Sequence, residues 1–219
     1  MLFRSKRNLK IRQNFASEEP AVKVSFPNEL LWAVVGLLLT IFSTFFQAWV
    51  ANPPWNWGTQ GVQPQPLGVT FQVGAVLLTG CLGGKNAGAL SQIAYLILGL
   101  FWLPVFAHGG GLSYLQEPTF GYILGFIPGA WLCGFLAFRS KRKLEILALS
   151  ALAGLLAIHL CGLVYLVGLA GLSPAGSTIS WATLPQAIFN YSLAPLPGQL
   201  IIICATAVIA FIIRQILFY

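Results

Sequence analysis

The chain contains no aspartate, and its five acidic residues are all glutamates. An aspartyl nucleophile, an Asp-based metal site and a Ser-His-Asp triad are therefore excluded. Histidine is nearly absent too: His108 and His159 are the two present, too few for a His-rich zinc or di-iron centre. No Gly-x-x-x-x-Gly-Lys-Ser/Thr run occurs, so the chain carries no P-loop, and any uphill transport takes its energy from elsewhere. No cofactor is expected. Charge of either sign is scarce, at 8% of residues, where a soluble domain has about 25%. Apolar residues make up 57%, and the mean hydropathy is +0.80. A chain that cannot cover its surface with charge places that surface in lipid.

Apolar stretches long enough to cross a hydrocarbon core, which takes about 20 residues, run over 29–50, 67–83, 87–104, 118–138, 145–172 and 197–218. They predict an all-α membrane protein of six transmembrane helices. With the N-terminus inside, the inner segments hold Arg4, Lys6, Arg7, Lys10, Arg12, Lys23, Lys85, Arg139, Lys141, Arg142, Lys143 and Arg214, all twelve basic residues. The opposite loops 51–66, 105–117 and 173–196 hold none. This positive-inside separation puts both termini in the cytoplasm. It also explains the net charge of +7 by topology and lipid contact, and no nucleic-acid partner is expected. The first 28 residues have too long a charged region for a secretory signal, and no small-residue cleavage site follows them. They read as a basic cytoplasmic tail, and 29–219 as one membrane domain.

Helices in lipid associate through small residues and a few side-chain hydrogen bonds. Gly121, Gly125, Gly129 and Cys133 form one small stripe, and Ser91, Gln92, Tyr95 and Gly99 another. Each serves internal packing or the docking of a partner subunit. Cys81, Cys133, Cys161 and Cys204 have no ligand or redox spacing and read as packing residues. The outer loops are rich in Gly, Pro, amides and aromatics. Trp55 and Trp57 flank an amide, Gly109-Gly110-Gly111 follows His108, and Trp181, Gln186, Asn190 and Tyr191 crowd the last loop. Glycines let a backbone approach a ligand or make a tight turn. Amides and rings suit a neutral, partly apolar small molecule, or an interfacial aromatic belt. Ionisable residues inside the membrane mark ion coupling; His159 is read instead as bonding a backbone carbonyl, and no acid pair lies in mid-membrane.

Val69-Thr-Phe-Gln72, Gly84-Lys-Asn-Ala-Gly-Ala-Leu-Ser91, Gly99-Leu-Phe-Trp-Leu-Pro-Val-Phe-Ala107, Gly109–Gly111, Pro118-Thr-Phe-Gly-Tyr-Ile-Leu-Gly-Phe126 and Leu196-Pro-Gly-Gln199, in this order, resemble the BioY family. The resemblance covers roughly residues 62–205. It implies a six-helix, biotin-binding capture subunit of an energy-coupling-factor transporter in the plasma membrane. It further implies a separate transmembrane coupling protein and ABC-type ATPases as partners, and no enzyme activity. Transferred by motif, the ligand lies under the glycine loop and against the helix starts carrying Tyr122 and Gln199. Gln72, His108, Gly109, Gly110, Gly111 and Asn190 complete the candidate ligand-binding set.

The family usually opens the last helix with Pro-Gly-Asp-x-x-Lys, where this chain has Pro197-Gly-Gln-Leu-Ile-Ile202. Loss of acid and base together leaves no unpaired buried charge, and an amide at Gln199 still offers donor and acceptor to a ureido group. Ala33 is followed four residues later by Leu37 in place of the family's Ala-x-x-x-Ala docking face, and Gly36 with Thr40 is the substitute small pair. Two alternatives stand beside biotin capture: the same scaffold taking another vitamin-like molecule, and a non-transporting membrane scaffold protein.

Overall fold

A computed structural model describes residues 26–139, 143–172 and 179–217. Most of the basic tail, Lys141, Arg142 and residues 173–178 lie outside the described residues.

Helix α1, Phe26–Thr44, buries Ala33, Gly36, Thr40 and Thr44 on one face. Strand β1, Gln47–Ala51, leads through a 3-10 turn and the short helix α2, Trp57–Gln60, to β2, Pro64–Thr70. Helix α3, Gln72–Phe101, is broken at Gly84. After a 3-10 turn at Leu112–Gln116 come α4, Phe120–Arg139, and α5, Leu144–Leu172. Short α6, Leu184–Ile188, runs into one turn of π-helix, Phe189–Leu193, and α7 is Leu196–Leu217. Among the described residues, four helical segments are long and apolar enough to cross a membrane: α1, α4, α5 and Leu184–Leu217.

The break in α3 turns the chain back on itself. Gly84 has φ 82° and ψ −178°, a region open in practice to glycine alone. A Cβ on Gly88 would stand 3.2 Å from the Gly80 Cα, whereas eight residues of straight helix span about 12 Å. The two halves of α3 therefore lie side by side. α4 fits against the bend, since a Cβ on Gly134 would meet the Gly84 carbonyl carbon at 2.5 Å. The broken helix occupies the centre, against α1, α4 and α7, and α5 closes the bundle on α4 and α7. Val76, Leu77, Tyr95, Ala130, Leu155 and Ile158 are at the heart of the core.

Both small-residue stripes turn out to be internal. A Cβ on Gly125 would approach the Ile158 carbonyl oxygen to 2.8 Å, and one on Gly129 the Gly154 oxygen to 2.9 Å, so α4 and α5 meet backbone to backbone. Ser91, Gln92, Tyr95 and Gly99 are buried in α3. The small pair on α1, expected to serve docking, is spent inside as well. Gly36 packs on Thr79, and Thr40 accepts a hydrogen bond from Gln92 Nε2 at 3.1 Å. The face of α1 left outward is Leu30, Leu31, Val34, Leu38 and Phe42. Cys81 and Cys133 bring their buried thiols to 3.4 Å, while Cys204 is exposed.

Two expected spans are too long at one end. Residues 47–50 and 67–70 are not helical but belong to the antiparallel pair β1–β2, with Gln47 opposite Thr70, Trp49 opposite Pro66 and Val50 opposite Gln65. A short apolar run bounded by prolines suits a strand as well as a helix. Pro53, Pro54, Pro64 and Pro66 keep the chain extended here. The stretch 87–104 likewise ends as helix at Phe101, ahead of Pro104. The described part of the segment 173–196 contains α6 and the π turn.

Lys85 and Arg139 stand 5.7 Å from the Phe135 ring, and Arg214 lies 4.2 Å over Phe138. These cations share the Gly84 end of the bundle. Fifteen helical residues, about 22 Å, separate Arg214 from Gln199, so the start of α7 is at the opposite end.

Candidate functional site

At that opposite end four elements bring polar side chains together. Tyr122 comes from the first turn of α4, His159 from the middle of α5, Ser192 from the π turn and Gln199 from the first turn of α7. Gln199 Oε1 lies 2.7 Å from His159 Nε2. The other ring nitrogen, Nδ1, is 3.2 Å from Ser192 Oγ, and Ser192 Oγ is 2.6 Å from the Tyr122 hydroxyl. The Tyr122 and His159 rings meet edge to face at 5.6 Å. His159 is 6% and Ser192 4% exposed, while Tyr122 and Gln199 are half-buried and reach outward from this core. The π turn has a reason here: its widened i→i+5 bond, Ala194 N to Phe189 O at 2.9 Å, rotates Ser192 inward, and such turns recur at functional sites.

A second group surrounds Tyr95. Its hydroxyl donates to the Val105 carbonyl at 3.0 Å and accepts from Gln72 Nε2 at 2.9 Å, with Thr44 Oγ1 at 3.4 Å. Gln72 is thus tied by its nitrogen to the second half of α3, with its oxygen left to face elsewhere. β2 crosses close to the start of α7, where a Cβ on Gly198 would meet the Leu67 oxygen at 2.6 Å.

The glycine run makes a tight turn. Phe106 and Gly109 exchange backbone hydrogen bonds at 2.9 and 3.1 Å, and Gly111 N donates to the Gly99 carbonyl at 2.8 Å, capping the end of α3. Gly109 and Gly111 have φ 113° and 88°, positions that L side chains rarely adopt. His108 is exposed at the tip of this turn. Tyr114 is buried behind it, bonded to Thr119 Oγ1 at 3.1 Å, and burial pushes its phenol up from the usual range.

The expected residues therefore separate. Tyr122 and Gln199 meet in one network; Gln72 and Gly109–Gly111 belong to the neighbouring Tyr95 and loop group. His108 and Asn190 are exposed, and Asn190 accepts a hydrogen bond from Gln186 on its own segment at 2.9 Å. Trp57 is structural, donating its indole N–H to the Asn52 carbonyl at 2.8 Å, while Trp55 is 81% exposed. His159 corrects the expectation of a backbone carbonyl partner: both its nitrogens are taken by side chains. Its place as the one histidine in mid-span of the fifth apolar stretch was the available signal. Ser192 gave none, because only the π turn points it inward.

A helical bundle with spanning-length apolar helices, cations at one end and an uncharged polar cluster at the other defines an integral membrane protein. The BioY family profile matches residues 22–218, and the chain belongs to the BioY family. It is 30% identical over 190 residues to an uncharacterised 21.2 kDa protein of Cyanophora paradoxa, covering 86% of this chain and 95% of that one. With the biotin transporter BioY of Rhodobacter capsulatus it shares 35% identity over 162 residues, covering 68% and 82% of the two chains. Among solved structures, the S-component for biotin from an ECF-type ABC transporter superposes with a TM-score of 0.62 at 20% identity, covering 88% of this chain and 95% of that one. That likeness is one of fold.

Proposed function

We propose that this protein is the biotin-capture subunit of an uptake system in the plasma membrane. It takes biotin from the outer face and relies on a separate coupling protein and ABC-type ATPases for energy. The chain crosses the membrane six times, through α1, each half of α3, α4, α5 and α7. Both termini, including the basic tail over 1–28, lie in the cytoplasm. The activity is binding and delivery, with no catalysed reaction.

One observation carries this reading: in a member of a family whose characterised relatives transport biotin, the start of α7 brings Gln199 into a side-chain network with His159, Ser192 and Tyr122. A ureido ring presents a carbonyl and two N–H groups, and amide and phenol partners match these without charge. Tyr122 and Gln199 are the head-group contacts. Gln72, with Gly109, Gly110 and Gly111, borders the site, and His108 and Asn190 lie at its exposed margin.

Titration calorimetry of biotin into the purified, detergent-solubilised protein tests this. Saturable binding is expected, and Gln199→Ala weakens it about ten- to a hundredfold, the worth of one or two buried hydrogen bonds. Unchanged affinity removes Gln199 from the site. Absence of binding in a demonstrably folded sample overturns biotin as the ligand.

A further inference from the structure

The four-residue cluster is a chain of hydrogen bonds in which each link fixes the direction of the next. Gln199 Oε1 can only accept, so His159 Nε2 carries the proton across their 2.7 Å contact. A neutral ring then has a bare Nδ1, which accepts from the Ser192 hydroxyl at 3.2 Å. Having donated its one proton, Ser192 Oγ accepts from the Tyr122 hydroxyl at 2.6 Å. What remains for a ligand is the N–H₂ of Gln199 at one end and the oxygen lone pairs of Tyr122 at the other. Turning the Gln199 amide over reverses the chain: His159 Nδ1 then donates to Ser192, and the buried Ser192 proton goes to Tyr122, the other side chain that its oxygen contacts, so Gln199 offers its oxygen and Tyr122 its O–H. In both states one end gives and the other receives.

We infer that His159 and Ser192 act as a polarity relay that forces Gln199 and Tyr122 to present opposite hydrogen-bonding senses, so that the site selects a neutral head group with a carbonyl and an N–H side by side. A cyclic urea or lactam satisfies both ends. A carboxylate, all acceptor, or a guanidinium, all donor, satisfies one and leaves the other unpaired, which in a desolvated site carries the larger penalty. The relay thus assigns the ring end of the ligand to this cluster and places the carboxylate tail elsewhere. His159 and Ser192 are positioning residues: they act through Gln199 and Tyr122. The assignment rests on the biotin reading and goes beyond it by naming the two residues that set the hydrogen-bonding sense of the head-group contacts.

The experiment compares biotin, biotin amide and iminobiotin, whose guanidinium replaces the urea, by calorimetry on the wild-type protein and on Ser192→Ala. Wild type should bind iminobiotin at least about a hundredfold more weakly than biotin. In Ser192→Ala the two ends are uncoupled, so both can accept at once, and the penalty against iminobiotin should shrink to about tenfold or less. The ratio between biotin and biotin amide should stay as in wild type. A thermal transition in detergent checks folding, and Tyr122→Phe, which cuts the chain at its other end, should narrow the iminobiotin ratio in the same way. If neither ratio moves in either variant, the residues are merely structural and the relay is overturned. If the biotin amide ratio moves and the iminobiotin ratio does not, the cluster reads the carboxylate, and the assignment is equally overturned. Wild type that is folded but binds no biotin sinks the capture reading itself, and the head-group assignment with it. Loss of the relay alone leaves biotin binding to wild type intact, so the two failures are distinguishable.

Discussion

A single hydroxyl, that of Tyr95, ties three parts of the chain: it donates to Val105 just before the glycine turn, accepts from Gln72 at the start of α3 and stands 3.4 Å from Thr44 at the end of α1. Tyr95 is fully buried, and its ring meets Phe106 edge to face at 5.3 Å. Removing the oxygen in Tyr95→Phe keeps the ring packing and strands the Gln72 amide and the Val105 carbonyl. Leaving buried groups unsatisfied costs about 1–3 kcal/mol. Thermal unfolding in detergent should show that loss, accompanied by weaker biotin binding as the glycine turn loses its anchor. An unchanged transition means that water replaces the hydroxyl and the turn holds itself. The sequence placed Tyr95 on a packing stripe and Gln72 among the ligand contacts; their mutual bond was not legible, because twenty-three residues and a chain reversal lie between them.

At the scale of elements, Gly84 decides the architecture. Its backbone, at φ 82° and ψ −178°, costs an L residue about 1–3 kcal/mol, although a Cβ there would meet only the Phe138 ring, at 3.7 Å. Gly84→Ala should therefore lower stability by that amount through backbone strain, with little steric cost, as read by the denaturation midpoint in detergent. Gly134→Ala should do more damage, since its Cβ would strike backbone at Gly84 and Lys85 at 2.5 Å. If Gly84→Ala costs nothing, the bend is free to take another conformation. Much of this level was legible. The apolar runs over 145–172 and 197–218 agree with α5 and α7 to within a residue or two, because a full spanning length of apolar residues with no proline beyond the first turn has few alternatives. The β1–β2 pair was missed because its residues continue apolar runs, and the pairing that separates them is a long-range fact. Within the polar cluster, Tyr122 and Gln199 were singled out beforehand through a motif. His159 was seen but given the wrong partner, and Ser192 depends on a π turn that no local pattern announces.

For the whole molecule, the separation of charge and polarity is the organising feature. Lys85, Arg139 and Arg214 gather at the Gly84 end, where the cation–ring contacts with Phe135 and Phe138 suit the amphipathic boundary of a bilayer. The Gln199 cluster is at the other end and carries no lysine or arginine among its hydrogen-bond partners. Basic residues are retained on the cytoplasmic side during insertion, so the cluster should face outward, where a substrate arrives. Cysteine labelling with a membrane-impermeant maleimide tests this directly. Trp55 is 81% exposed in the loop beside β1, and Lys143 is exposed at the start of α5, whereas native Cys81 and Cys133 are buried. In a background with Cys161 and Cys204 replaced by alanine, Trp55→Cys should label in intact cells, and Lys143→Cys only after permeabilisation. The reverse pattern would turn the site toward the cytoplasm. A capture subunit could not then meet its ligand from outside, so the orientation of this one loop bears on the function of the entire chain.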